Sequence, residues 1–224
     1  MAGPVVETLP APLGRALAPL ARFEGPRWLK PVAFTLACAP FAWAIGAVLS
    51  DLFGGTRLLG SNPIKTAEHF TGEWALRFLL LSLAVTPLRQ LFGWNWLASW
   101  RKMLGLFGFA MVVVHLLVWS VLDNELVLAD IREDLLDRWY IVIGMVAFAL
   151  LVPLAVTSTR GWIKRLGKRW VSLHRLVFPA VALALVHFGM AQKKDLADPL
   201  VFAAFAVALV GWRVWRARQR TAPT

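Results

Sequence analysis

The sequence predicts an all-α integral membrane protein, a bundle of six transmembrane helices with both termini in the cytoplasm. The first observation is composition: 58% of the 224 residues are hydrophobic and only 17% are charged, whereas soluble domains contain about 25% charged residues. The second is a set of six apolar segments, each close to the roughly 20 residues that a helix needs to cross a bilayer. The third is an uneven distribution of Lys and Arg between the loops.

The apolar segments divide the chain into a transmembrane domain and two tails. We predict a mobile cytoplasmic tail over residues 1–28, a six-helix transmembrane domain over 29–216 and a cytoplasmic tail over 217–224. Arg77 and Pro87 interrupt the second segment. The predicted spans cover residues 29–50, 74–91, 103–122, 139–157, 171–191 and 199–215.

Charge predicts the orientation of these spans. Sixteen Lys and Arg residues fall on the side of the two termini and six on the opposite side, and the positive side of a membrane protein faces the cytoplasm. The net charge of +11 therefore reflects topology, and we expect no nucleic-acid partner. Eleven of the thirteen acidic residues lie on the outer side. Those in the loop 123–137 form either a solvated loop or a docking face for an extracytoplasmic partner.

Three of the four histidines, His115, His174 and His187, lie within predicted spans, where ionisable residues are costly and tend to be functional. Neutral imidazole is a good axial ligand for heme iron. At about 1.5 Å per residue, His115 lies about 18 Å and His187 about 24 Å from the cytoplasmic ends of their spans. Matched depth predicts that both bind one outer heme; the alternative is that each is a hydrogen-bonded packing residue. His69, in EHFTGEW, is interpreted as a loop or interfacial residue.

His174 lies about 5 Å from the cytoplasmic face and has no histidine partner at that depth. Arg101 precedes His115 by fourteen residues, which returns it to within about 40° of the same helix face. We predict that Arg101 lies near an inner heme and pairs with a propionate, as Lys102 could. His174 and His187 are thirteen residues apart, about 140° around an ideal helix. Either the helix is distorted between them, for which Pro179 is the candidate cause, or the two residues do not serve one stacked pair of hemes in a simple way.

Several stretches together resemble one family. They are NPIKTAEHFTGEWALRFLLLSLAVTPLRQ at 62–90, RKMLGLFGFAMVVVHLLVW at 101–119, and TSTRGWIKRLGKRWVSLHRLVF at 157–178, followed by HF at 187–188. These motifs resemble the MsrQ (formerly YedZ) family, the heme-binding membrane subunits of the bacterial periplasmic methionine sulfoxide reductase system. The similarity extends over about residues 28 to 215. It implies the ferric-reductase-like transmembrane fold, which NADPH oxidases share more distantly.

The resemblance implies a multi-pass protein of the bacterial inner membrane that binds heme b, as one heme or two, and FMN. Electrons would come from the quinone pool or a cytosolic flavin reductase and pass to the periplasmic molybdopterin subunit MsrP, which forms a heterodimer with this subunit and reduces methionine sulfoxide. His115 and His187 would bind the outer heme iron and His174 the inner one. In the wider oxidase group a histidine occupies the position of Arg101, so the resemblance leaves the number of hemes open. No side chain would be catalytic here, because substrate reduction belongs to the partner.

Two other functions remain open at this stage. A ferric reductase or another cytochrome b would use the same fold with a different electron acceptor. A transporter would use the intramembrane polar groups as a proton or ion path, although the predicted spans contain few acidic residues and no paired broken helices. The basic loop 158–169, with Arg101 and Lys102, could also attract phosphate or anionic membrane lipid.

Overall fold

The computed structural model describes residues 11–21, 23–192 and 195–221. Within these ranges the chain is helical, with short turns between helices. A 3-10 turn, Asn95–Leu97, precedes the fourth helix and a wide π-helical turn, Val118–Asp123, follows it. The α-helices are α1 Ala11–Ala21, α2 Leu29–Phe53, α3 Pro63–Phe92, α4 Ala98–Leu117, α5 Leu128–Asp137, α6 Trp139–Val156, α7 Arg160–Leu166, α8 Lys168–His174, α9 Val177–Ala191 and α10 Ala197–Thr221.

Six helical segments are long and apolar enough to cross a membrane, which confirms the predicted six-span bundle. They are α2, α3, α4 with its two flanking turns, α6, α8 together with α9, and α10. Exposed large apolar side chains on α2 and α10, such as Phe34 and Phe205, are suited to contact lipid. We call the end of the bundle that carries Arg101 and His174 the basic end, and the end that carries Asp134 the acidic end.

Helix α3 is the centre of the bundle. Half of its apolar window is buried, against 22% or less for the other spans. It packs most extensively against α4, and it also contacts α2, α9 and α10. Helix α6 packs mainly against α9 and contacts α4 as well. The four helices α3, α4, α6 and α9 therefore surround a common interior, while α2 and α10 flank α3.

Helix α3 begins at Pro63, well before the predicted start of the second span at residue 74. Asn62 caps this helix, because its side chain accepts a hydrogen bond from the backbone N–H of Lys65. Pro63 takes the first helical position, where its missing N–H costs nothing. Of the two interpretations of His69, as a loop residue or as an interfacial residue, the first is therefore wrong, since His69 lies in the second turn of α3.

A charged pair lies within α3. The Arg77 guanidinium is 2.7 Å from a carboxylate oxygen of Glu73, one turn earlier. The same guanidinium lies over the rings of Trp74 and Phe202, at 5.2 and 5.4 Å from their centroids. Pairing and ring contacts compensate the cost of a charge in an apolar segment, so Arg77 does not prevent α3 from crossing the membrane.

The fifth span is interrupted between its two histidines. Helix α8 ends at His174 and α9 begins at Val177, with Arg175 and Leu176 in a turn. Pro179 has no N–H, and its ring clashes with the carbonyl of the residue four positions earlier in a continuous helix. That carbonyl, of Arg175, instead accepts from Phe178 N at 3.1 Å. The distortion is therefore present, centred just before Pro179.

Helices also cover parts of the two predicted tails. Helix α1 packs on the basic end, where Trp94 Nε1 donates to the Leu20 carbonyl at 2.7 Å. The ring of Phe23 contacts those of Trp94 and Trp96 at centroid distances of 6.1 and 6.0 Å. Helix α10 continues to Thr221. Residues 1–10 and 222–224 lie outside the described residues.

Candidate functional site

A cavity of about 470 Å³ opens between α3, α4, α6 and α9, toward the acidic end of the bundle. Its deeper wall is apolar, and its mouth carries charged and polar side chains. This combination suits a flat apolar group with one polar edge. The deeper lining includes Leu76, Leu79, Val112, Met145, Phe148, Ala184 and Phe188, and the mouth includes Asn62, Lys65, Glu68, His69, Asp123 and Arg138.

His115 from α4 and His187 from α9 meet in this cavity, as the depth estimate predicts. Their ring centroids are 6.1 Å apart and their planes are nearly perpendicular, at 81°. A metal–imidazole bond is about 2 Å long, and half the width of the ring separates the bonded nitrogen from the ring centroid. The centroids of two imidazoles that bind one metal from opposite sides are therefore about 6 Å apart. The two side chains therefore fit a bis-imidazole heme.

Hydrogen bonds fix which nitrogen of each ring faces the cavity. His115 Nδ1 lies 3.0 Å from the Glu68 carbonyl oxygen and 3.2 Å from Thr71 Oγ1. His187 Nδ1 lies 2.7 Å from the Tyr140 carbonyl oxygen. A carbonyl oxygen only accepts, so each Nδ1 carries the proton and donates it. The Nε2 lone pair of each ring then remains available for a metal, the arrangement that outer hydrogen bonds impose on histidine ligands.

Two glycines make room for the two imidazoles. A Cβ atom at Gly144 on α6 would lie 2.8 Å from His187 Nδ1, and one at Gly72 on α3 would lie 3.2 Å from His115 Cε1. Glycine inside a helix costs about 1 kcal/mol relative to alanine. Both positions therefore exchange helix stability for the close approach of an imidazole to a neighbouring backbone.

The π-helical turn after α4 holds the loop at the acidic end against the cavity. Trp119, in this turn, lines the cavity and donates its Nε1–H to Asp134 Oδ2 at 3.1 Å. Asp134 is buried and also pairs with Arg138 at 3.1 Å. Helix α5, which carries Asp134, is thus fixed beside the cavity mouth, and part of the acidic loop is a structured helix.

The described residues contain no group of three or more His, Cys, Asp or Glu side chains placed to hold a metal ion. A metal in the histidine cavity would therefore have two protein ligands, as in a bis-imidazole heme, where the macrocycle supplies the other four. This donor set fits heme better than a protein-only metal centre.

A second cavity, of about 260 Å³, lies at the basic end between α3, α4, α6, α8 and α9. It contains both His174 and Arg101, which the sequence placed at the same level. His174 Nδ1 donates to the Trp170 carbonyl at 3.1 Å, and the two rings stack at 3.8 Å. His174 Nε2 is buried and has no hydrogen-bond partner among the described residues. Lys102 also lines this cavity.

The two cavities follow one another along the bundle and share a partition. Leu79 and Leu151 line both of them. Phe109, from the wall of the basic-end cavity, stacks on Phe148, from the wall of the other, with centroids 5.9 Å apart and planes within 6°. The interior of α3, α4, α6 and α9 is therefore divided into two compartments by apolar side chains.

Known proteins are similar to this chain, both in one domain and over most of its length. The family model described as ferric reductase like transmembrane component matches residues 71–185. A protein-methionine-sulfoxide reductase heme-binding subunit MsrQ from Xanthomonas euvesicatoria is 43% identical over 199 residues, covering 86% of this chain and 90% of the relative. The MsrQ of Brucella ovis is 43% identical over 195 residues, covering 87% and 86%, and that of Xanthomonas campestris 46% over 171 residues, covering 75% and 78%. The chain belongs to the MsrQ family. It is a multi-pass membrane protein with the family's ferric-reductase-like domain.

Several residues that line or adjoin the larger cavity were not identified from the sequence. Gly72, Gly144 and Thr71 leave only a weak signal, a small residue within an apolar helix, because their importance depends on which ring approaches them from another helix. His69 lines the larger cavity and its Nδ1 lies 3.2 Å from the Gln192 side-chain amide nitrogen. The sequence feature that could have identified His69 is the helix start at Asn62 and Pro63, because a helix that begins there contains His69.

Proposed function

We propose that this chain binds heme b in the larger cavity through His115 and His187 and is the electron-carrying membrane subunit of a methionine sulfoxide reductase system. The observation that carries the proposal is the pair of imidazoles 6.1 Å apart, each with Nδ1 hydrogen-bonded to a backbone carbonyl. The relatives are heme-binding subunits, which supports the same ligand.

The residues around the cavity have separable roles. A bound heme b would supply an iron that changes charge by one electron. The carbonyls of Glu68 and Tyr140 hold the two imidazoles in the tautomer that presents Nε2. The apolar walls exclude water and so lower the local polarity that any bound group experiences. Lys65 and Arg138, the cations at the cavity mouth, are placed where carboxylates at the polar edge of a heme would be paired.

The smaller cavity is the proposed site of an inner cofactor. The buried, unpartnered Nε2 of His174 supports a role for this residue as an iron ligand of an inner heme. Arg101, on the same cavity, would pair with a propionate. FMN is the other cofactor that resemblance to the family supports. The number of hemes is thus one or two, depending on what this cavity binds.

We further propose that the protein lies in the bacterial inner membrane with both termini in the cytoplasm. The support is the distribution of charge in the sequence, in which sixteen Lys and Arg residues fall on the predicted side of the two termini and six on the opposite side. Electrons would then arrive at the basic end, from the quinone pool or a cytosolic flavin reductase. They would leave at the acidic end to MsrP, the periplasmic molybdopterin subunit on which methionine sulfoxide is reduced.

The test is a reduced-minus-oxidised visible spectrum of the purified protein, with heme and protein quantified on the same sample. We expect a sharp low-spin b-type α band that both His115→Ala and His187→Ala abolish or convert to high spin. His69→Ala is the matched control, because His69 lines the same cavity and should not change the band. A featureless wild-type spectrum from heme-replete cells, or full heme content in both single variants, would contradict the proposal.

A ferric iron complex is the second candidate electron acceptor, because the matching family model is that of a ferric-reductase-like component. The two acceptors are separated by adding each to the dithionite-reduced protein and following reoxidation of the α band. Reoxidation by MsrP with methionine sulfoxide, and not by a ferric chelate, would support the first candidate. The reverse result would support the second.

A further inference from the structure

At the basic end of the bundle, two half-buried arginines use only part of their hydrogen-bonding capacity within the protein. Arg89 Nε and Arg213 Nη1 are buried and have no hydrogen-bond partner among the described residues, and neither has His174 Nε2. Buried polar atoms are nearly always paired, and each unpaired one in a native protein calls for an explanation. These three atoms are therefore available to donate to, or bind, a group outside this chain.

These cations are grouped around the smaller cavity. Arg89, Arg101 and Lys102 line the smaller cavity. Arg213 extends from α10 to Leu83, which lines the same cavity, and donates to its carbonyl at 2.8 Å. Like charges grouped in one place repel one another, and an anion bound between them would relieve that repulsion.

The chain offers few acidic residues to neutralise this cluster. None of the described residues that line the smaller cavity is Asp or Glu. The two ion pairs found among the described residues, Glu73 with Arg77 and Asp134 with Arg138, are elsewhere. Glu24, the acidic residue described at the basic end, is exposed. An anionic ligand would therefore supply the acceptors that the described residues of this cavity lack.

The guanidinium groups are held in place by other contacts, so they are already organised for a ligand. Arg213 is fixed by the Leu83 carbonyl and lies over the ring of Phe178, 5.1 Å from its centroid. Arg89 donates from Nη2 to Asn95 Oδ1 at 3.1 Å, which leaves its Nε without a partner. Planar guanidinium groups recognise carboxylate and phosphate through paired hydrogen bonds.

We propose that Arg89, Arg101 and Arg213 bind an oxyanion, the phosphate or carboxylate arm of a ligand that occupies the smaller cavity. This inference rests on the proposed function, because that cavity is where an inner cofactor is placed. Two sources have the required chemistry: the carboxylates of a heme and the phosphate of a flavin mononucleotide. The arginines are binding residues for either source. Arg89 and Arg101 lie in the same cavity wall as His174, and Arg213 extends the site beyond that wall.

The test compares wild-type protein with Arg89→Gln and Arg213→Gln. Arg160→Gln is the control, since it removes the same charge from an exposed position on α7 at the same end of the bundle. Two quantities are measured in detergent: the heme-to-protein ratio, and the affinity for FMN and for riboflavin by quenching of flavin fluorescence. The two flavins differ only in the phosphate, so their comparison isolates oxyanion recognition.

A phosphate ligand predicts that wild-type protein binds FMN at least about tenfold more tightly than riboflavin, and that both glutamine variants lose this difference. A heme ligand predicts that the variants lose heme while the signal of the His115 and His187 site persists. Variants with the FMN affinity and heme ratio of Arg160→Gln would overturn the proposal. If a glutamine variant does not accumulate, Arg213→Lys retains the charge but lacks the planar fork, and the same readouts apply.

The same samples separate the failure of this proposal from failure of the proposed function. A wild-type protein without a bis-imidazole heme signal would sink the proposed function, while the flavin comparison would still report on the arginines. Conversely, the heme signal from His115 and His187 could be intact while the arginine variants match the control in every readout. That result would refute only the proposed oxyanion site and leave the proposed function standing.

Discussion

Replacing Gly144 by alanine should displace His187 and weaken heme binding. The new Cβ would lie 2.8 Å from His187 Nδ1 and 3.0 Å from Cε1, where ordinary contacts between such atoms are about 3.5 Å or longer. The ring, or helix α9 with it, must therefore move by about 0.7 Å. The hydrogen bond from Nδ1 to the Tyr140 carbonyl is already short, at 2.7 Å, and opposes a simple rotation of the ring.

The expected effects on the apoprotein and on heme binding differ in size. Alanine favours a helix over glycine by about 1 kcal/mol, while overpacking a close contact costs about 1–3 kcal/mol. The free energy of unfolding of the apoprotein should therefore fall by at most about 2 kcal/mol. A metal ligand must be held within about 0.5 Å of its productive position. Disturbing the groups that orient a ligand typically costs about 10-fold to 100-fold in metal affinity, and we expect a loss of heme in that range.

The assay is heme retention of Gly144→Ala during purification and dilution, followed by the α band and quantified against protein, together with thermal unfolding. Gly46→Ala, on α2, is the matched control because no atom lies within 4 Å of its added Cβ. That control should retain heme and gain stability. Full heme retention and an unchanged spectrum in Gly144→Ala, with a gain in stability like that of the control, would refute the reasoning.

Three further predictions follow from contacts around the two cavities. Thr71→Val should lower the free energy of unfolding by about 1 kcal/mol but retain heme, because the Glu68 carbonyl still accepts a hydrogen bond from His115. Loss of heme would instead show that the Thr71 hydroxyl, 3.2 Å from His115 Nδ1, is the essential acceptor. Asp134→Ala should destabilise the protein by about 1–3 kcal/mol in thermal unfolding, since Trp119 loses a buried acceptor; an unchanged melting temperature would contradict that role. His174→Ala should leave the α band of the larger cavity intact in visible spectra, because Leu79 and Leu151 separate the two cavities. Disappearance of that band would mean that the two cavities are not independent.

The pairing of His115 with His187 could be predicted because it depends on one quantity, the depth of each residue in the bilayer. Both spans run in the same direction, and a rise of about 1.5 Å per residue converts sequence position into depth with little error. Composition likewise predicts six spans because the bilayer imposes length and apolarity on every one of them. Each of these predictions follows from a property of a single segment and the membrane.

The glycine positions and the hydrogen-bond acceptors could not be predicted in the same way. Gly144 matters because α9 brings His187 against it, and the Tyr140 carbonyl accepts because the same two helices meet there. Both facts belong to a pair of helices whose rotation about their axes is set by packing along the whole interface. A sequence with uniformly apolar helices carries little record of that rotation, since lipid-facing and buried positions are filled by similar residues.

The relation between His174 and His187 lies between these cases. On a straight helix their separation places them about 140° apart, so both could not face one interior. The structure places each on a cavity enclosed by α3, α4, α6 and α9, and it does so by ending α8 at His174 and restarting the helix at Val177. The carbonyl that Pro179 blocks belongs to Arg175, four residues earlier, so the break must precede the proline rather than coincide with it. Local sterics therefore determine where the span turns, and the turn allows one apolar segment to present imidazoles to two compartments.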